Sequence, residues 1–149
     1  MTTQTARSLR PVDMVAVTLA LLFGVRVTTA DHAALSDTVR AFVEAFNARD
    51  IDAMDALVTD DVAWLSITPD GLRTETEGRA ALQSAMVSYF SSCSSCRSTL
   101  GPLLESAQRV AVVETAHWQT DDGPKSQQSM AVYELDDGRI RRVHYFPAE

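Results

Sequence analysis

Two strings in this 149-residue chain bear side chains suited to chemistry: Thr115-Ala116-His117-Trp118 and Cys93-Ser94-Ser95-Cys96. An imidazole titrates near neutrality and serves as a general acid or base. The segment around His117 reads as a strand, which puts Val113, Thr115 and His117 on one face and Val112, Glu114 and Trp118 on the other. Glu114 and His117 then share a cavity only if a bulge intervenes. His117 is the candidate catalytic residue, with no assured partner. His144 lies in Arg142-Val143-His144-Tyr145-Phe146, where both faces are mixed, and reads as a partner-strand or interface residue. His32 reads as solvated. Three dispersed histidines do not suggest a metal site, and no cofactor is expected.

The C-x-x-C spacing admits a disulfide, half of a zinc site, a redox pair or two free thiols. Zinc needs four ligands, and two thiols with scattered histidines fit it poorly. A thioredoxin-like pair sits at a helix N-terminus after a strand, whereas Cys93 and Cys96 follow a helical segment. The N-terminus favours the first choice. Arg7 and Arg10 precede an apolar run, residues 14–25, and small residues end it at Thr28-Thr29-Ala30. That is the pattern of an export signal over 1–30, cut after Ala30, with Arg26 an atypical feature. The run is shorter than the roughly 20 residues that span a bilayer, so no stable membrane insertion is expected after its removal. The expected compartment is periplasmic or extracellular, where a Cys93–Cys96 disulfide forms and acts as a staple.

The elements that must position these groups follow from periodicity. Val39, Phe42, Val43 and Phe46 form one helical stripe, with Ser36 as its expected N-cap. Asp50 or Asp52 caps a short second helix through Met54, Leu57 and Val58. Asp60-Asp61 reads as a turn, Val62–Thr68 as a strand, Pro69-Asp70-Gly71 as a turn, and 74–78 as a polar loop into a third helix over 79–90. Beyond the cysteines come strand-like segments at 97–104, 110–120, 128–135 and 139–146. Asp136-Asp137-Gly138 joins the last two as a hairpin. Helices first and antiparallel strands afterwards give an α+β domain over 31–149. The charge balance is acidic, 13 Lys and Arg against 20 Asp and Glu, and Lys125 is the one lysine. With no basic cluster, nucleic acid is excluded as the main partner.

Four strings carry a resemblance: residues 42–50 (FVEAFNARD), 57–62 (LVTDDV), 77–82 (EGRAAL) and 137–140 (DGRI). In this order and spacing they resemble the NTF2-like superfamily, particularly its SnoaL-like branch of polyketide-cyclase and ketosteroid-isomerase relatives. The resemblance implies a cone, in which three helices close the concave face of a strongly bent, mostly antiparallel sheet around a cavity. It also implies homodimers. Scaffold alone does not fix activity. The steroid-isomerase pattern falls on Phe42, Ser66 and Met130, none of which supplies the hydroxyl donor, carboxylate base or carboxylic acid that the reaction uses. The cyclase-like pattern places an acid/base group near His117, but Gln119-Thr120-Asp121 stands where a glycine motif usually follows. The Asp-Arg-Asp set of epoxide-hydrolase-like relatives has no evident counterpart.

By parity with Ser66, Trp64 and Thr68 face the cavity, and Gln128, Met130 and Val132 share a face on the facing strand, with Phe42 from the first helix. Such a lining suits a small hydrophobic, ring-bearing or acyl molecule. The leading expectation is an exported binding domain with no catalytic pair. The alternatives are an acid/base enzyme using His117 and a non-catalytic module that dimerises through its sheet.

Overall fold

The computed structural model describes residues 29–147, with side-chain surroundings from Leu35 onward. The expected export segment therefore lies almost wholly outside the described residues. Helix α1 spans Thr29–Ala48. It passes through Ser36, which is interior rather than an N-cap, because Ala33, Ala34 and Leu35 favour helix and extend it backwards. The Ser36 N–H donates to the Glu105 carboxylate. Helix α2, Ile51–Ala56, starts at the expected Asp50, whose side chain accepts from the Ala53 N–H. Helix α3 covers Arg79–Ser92. Its N-cap, Gly78, has φ 85°, a conformation that side-chain-bearing residues resist, and donates its N–H to the Val62 carbonyl.

The strands are β1 Val58–Thr68, β2 Gly71–Glu77, β3 Arg97–Leu100, β4 Leu104–Ser106, β5 Arg109–Thr120, β6 Gly123–Asp136 and β7 Arg139–Phe146. They form one sheet in the order β2-β1-β7-β6-β5-β3, with β4 paired to β5 off that path. The pairing of β1 with β7 is parallel and every other is antiparallel. Two expectations change here. Residues 74–78 are mostly strand β2 and not a loop, because the tight turn before Gly71 folds the polar segment back onto β1. Asp60 and Asp61 lie within β1 and not in a turn; Arg79 pairs with Asp60 and Arg141 with Asp61, so both carboxylates are accommodated at the surface of a strand.

Register shifts at Trp64/Leu65, at Val58/Ala63 and at Glu134/Leu135 bend the sheet, as bulges do. The helices pack into the resulting concave face. The core joins Val39, Phe42 and Val43 of α1 to Val110 and Val112 of β5, Ala131 and Leu135 of β6, and Ile140 and Val143 of β7. The architecture is the α+β one expected, helices on a curled and mostly antiparallel sheet. Asp137 (φ 48°) and Gly138 (φ 72°) turn the last hairpin as its sequence requires.

Candidate active site

Between the helices and the concave face lies a cavity of about 460 Å³, within the range of small-molecule sites. The first helix contributes Phe42, Val43 and Phe46, and α3 contributes Leu82, Ala85, Met86 and Tyr89. From the sheet come Trp64, Glu75, Thr76, Arg97, Ser98, Glu114, Ala116, Tyr133 and Tyr145. All three tyrosines of the chain line this space. Aromatic rings flank it in two groups: Phe42 and Tyr145 each meet Trp64, while Phe46 meets Tyr89. Glu75, Tyr89 and Arg97 are exposed and form its rim.

At the floor is a carboxylate. Glu114 is 6% exposed. It accepts a hydrogen bond from the hydroxyl of Tyr133, which is itself fully buried, and another from Ser98 at 3.3 Å. Burial raises the Glu114 pKa, and the Tyr133 and Ser98 hydroxyls only partly oppose it. Tyr133 is held well above the usual phenol range by burial and by the neighbouring Glu114 charge. Tyr145, hydrogen-bonded by Ser129, is also raised, first by burial. Tyr89 is raised by burial. At the rim, Ser66 and Arg73 hold Glu75 below the ordinary carboxylate range despite some burial. The site thus has one buried carboxyl that holds its proton more tightly than an exposed glutamate does, surrounded by phenols whose pKa values are also raised. Among the described residues no three of His, Cys, Asp and Glu are grouped as metal ligands are.

Of the residues expected from sequence, Phe42 and Trp64 line the cavity. Ser66 is buried but acts through Glu75, and Thr68 closes the β1–β2 turn by donating to the Gly71 carbonyl. On β6 the parity is the reverse of that expected. Ser129, Ala131, Tyr133 and Leu135 face inward. Gln128 and Met130 are exposed and Val132 is half-buried on the convex side. Met130 stands directly opposite Val113, and the two are 45% and 46% exposed. His117 shares that outer side; it is exposed and hydrogen-bonds Thr99 at 3.0 Å. No bulge brings it inside, because β5 and β6 pair without a register shift from Arg109 to Thr120. The ionisable side chain that β5 turns into the cavity is therefore Glu114, three residues before His117. The expectation of a cavity without an ionisable couple is overturned by Glu114 and Tyr133. A signal was present in the sequence: Val110 and Val112 share the parity of Glu114, and Ala131 and Leu135 share that of Tyr133. His144 lies on the outer side too, 3.6 Å from Glu134. Cys93 and Cys96 are bonded as a disulfide, with Cα atoms 5.4 Å apart.

A SnoaL-like domain model matches residues 39–143. The chain belongs to the SnoaL-like family. Among solved structures this SnoaL-like domain is similar to an NTF2-like protein of unknown function from Burkholderia pseudomallei, at 22% identity and TM-score 0.64, over 77% of this chain and 91% of that one. It is also similar to a putative polyketide cyclase from Xanthomonas campestris, at 28% identity and TM-score 0.59, over 79% and 93% of the two chains. A third similar structure is TerC co-crystallised with polyporic acid, at 17% identity and TM-score 0.64, over 77% and 92%. No curated protein matches the chain. Among the described residues no helix is long and apolar enough to cross a membrane.

Proposed function

We propose that this SnoaL-like domain is an acid/base enzyme acting on a hydrophobic, ring-bearing small molecule, with Glu114 as the group that accepts and returns the proton. One observation carries the reading: a buried carboxyl, held by two hydroxyl donors, opens onto a cavity walled by aromatic rings. Removing a proton from carbon beside a carbonyl needs a base whose pKa lies nearer neutrality than an exposed glutamate's, and burial supplies that shift. Tyr133 and Ser98 fix the carboxyl's orientation, so the bound ring meets it in one geometry. The proton passes from carbon to a Glu114 oxygen while the C–H electron pair moves into the ring ketone as an enolate. Its return to a different atom completes an isomerisation or prepares a ring closure. The similarity to a putative polyketide cyclase supports this class of substrate, and TerC's co-crystallisation with polyporic acid is in keeping with a ring-accepting cavity on this fold.

The test is exchange of the α-protons of 2-tetralone, a fused-ring ketone, followed by proton NMR in deuterated buffer. The wild-type protein is expected to accelerate exchange above buffer, with a rate that rises as Glu114 ionises. Glu114→Gln is expected to fall to background while keeping its fold. Exchange by the variant at the wild-type rate, or no acceleration by either protein, overturns the proposal.

Export also belongs to this reading. The N-terminal signal pattern is supported by the bonded cysteine pair, since disulfides persist in oxidising compartments. N-terminal sequencing of protein recovered outside the cytoplasm is expected to begin at Asp31.

A further inference from the structure

We infer that the molecule taken by this cavity carries an anionic group at one end of its ring system, and that Arg97 pairs with it. The inference rests on the ligand class proposed above and adds the polarity of that ligand. The cavity spans the sheet from one edge to the other, with Glu75 on β2 and Arg97 on β3. These two rim charges are not equivalent. Glu75 already has a counter-ion, the Arg73 guanidinium, and a hydrogen bond from Ser66. Arg97 has no carboxylate partner among the described residues; Nη1 donates to the Asn47 carbonyl at 3.3 Å. A guanidinium has five N–H donors in a planar fork, so most of this one is free to meet a ligand.

The corner that holds Arg97 is fixed. The Asn47 side chain exchanges two hydrogen bonds with the Ser98 backbone, each 2.8 Å, and ties the end of α1 to β3. Arg49 stands at the same corner, and its guanidinium is occupied by the Cys93 and Ser94 carbonyls and by the Phe90 ring. Two arginines without carboxylates thus sit together at one corner in a chain of net charge −7. Arg73, Arg79, Arg109, Arg141 and Arg142 have acidic partners, and Arg40 and Arg139, which also show none among the described residues, do not line the cavity. Of the two at the corner, Arg97 lines the cavity; it leaves β3 opposite His117 at the sheet edge and reaches round to the end of α1. Ser98, the next residue, donates to Glu114. A ligand whose acid group met Arg97 would therefore be fixed in orientation relative to Glu114, its rings lying between the aromatic walls. The matching ligand end is a carboxylate, or an enol or phenol acidic enough to ionise.

The experiment compares two probes of equal shape, 2-naphthoate and 2-naphthamide, by calorimetric titration of the wild-type protein and of Arg97→Gln and Arg97→Lys at low salt. The expected result is that wild type prefers the naphthoate by about fivefold, the size of a partly exposed ion pair. Arg97→Gln is expected to remove the preference while leaving naphthamide affinity unchanged, and Arg97→Lys to keep part of it. A salt titration of the wild type gives a reading that needs no variant: naphthoate affinity falls with added sodium chloride and naphthamide affinity does not. Equal binding of both probes by wild type, or a preference that survives in Arg97→Gln, overturns the inference and leaves the proposed ligand class intact. Binding of neither probe overturns both.

Discussion

Glu114 and Glu134 sit on neighbouring strands of one sheet and differ in almost every physical respect. Glu114 faces the concave side, where burial raises its pKa and two neutral hydroxyls hold it. Glu134 faces the convex side. Burial pushes its pKa up, but the Arg109 hydrogen bond and charge, the His144 charge and the Arg142 hydrogen bond outweigh it and leave the net shift downward. The same side chain holds its proton more tightly than usual on one face and is a fixed counter-ion on the other. What separates them is whether the nearest donors carry charge and whether water reaches the carboxyl.

The largest effect expected from breaking this contrast is on catalysis. Glu114→Gln should lower 2-tetralone exchange by about 100-fold or more, while the corresponding Glu134→Gln leaves it unchanged. Tyr133→Phe comes next. It removes the principal donor to Glu114 and leaves a buried acceptor short of a partner, so denaturant unfolding should show a loss of about 2 kcal/mol. The exchange–pH profile should move to higher pH in the same variant, since the phenol had been lowering the Glu114 pKa. A merely structural role for Tyr133 leaves the midpoint of that profile in place.

A third prediction uses opposite signs of linkage. Glu114 binds its proton more tightly in the folded state, so its contribution to stability is present at low pH and lost as pH rises from the ordinary glutamate value through the raised one. Glu134 binds its proton less tightly when folded, so its contribution is present above the ordinary value and lost as pH falls through the lowered one. Melting curves taken across pH should therefore show wild type losing ground to Glu114→Gln on the alkaline side and to Glu134→Gln on the acid side. Differences of the same sign for both variants would erase the contrast. The smallest expected effect is that of His117→Ala, which removes an exposed hydrogen bond to Thr99 and should leave exchange at the wild-type rate.

Helix periodicity, turn chemistry and the family strings made the fold legible, down to the Asp50 cap and the Asp137-Gly138 hairpin. The site was half legible. Phe42 and Trp64 were legible because Phe42 belongs to the apolar stripe of the first helix and Trp64 shares the parity of Ser66 on the first strand. The face of β6 was misassigned because the isomerase-like pattern falls on Met130 and carries Gln128 and Val132 with it, whereas Ser129 and Tyr133 look like surface. The bent sheet inverts that impression: its convex side carries Val113 and Met130 half-exposed, and its concave side buries hydroxyls beside a carboxylate. Strand β5 is similarly deceptive, with a valine on each side of the alternation. His117 drew attention through its intrinsic pKa, and only the curvature and the uninterrupted β5–β6 register place Glu114, and not His117, in the cavity.

The most direct measurement is a carbon-13 NMR titration of the Glu114 side-chain carboxyl, assigned by its loss in Glu114→Gln. A midpoint clearly above the ordinary glutamate value of 4.5, rising further in Tyr133→Phe, is the result this account requires. A midpoint at or below 4.5 would make Glu114 another solvated counter-ion and contradict it.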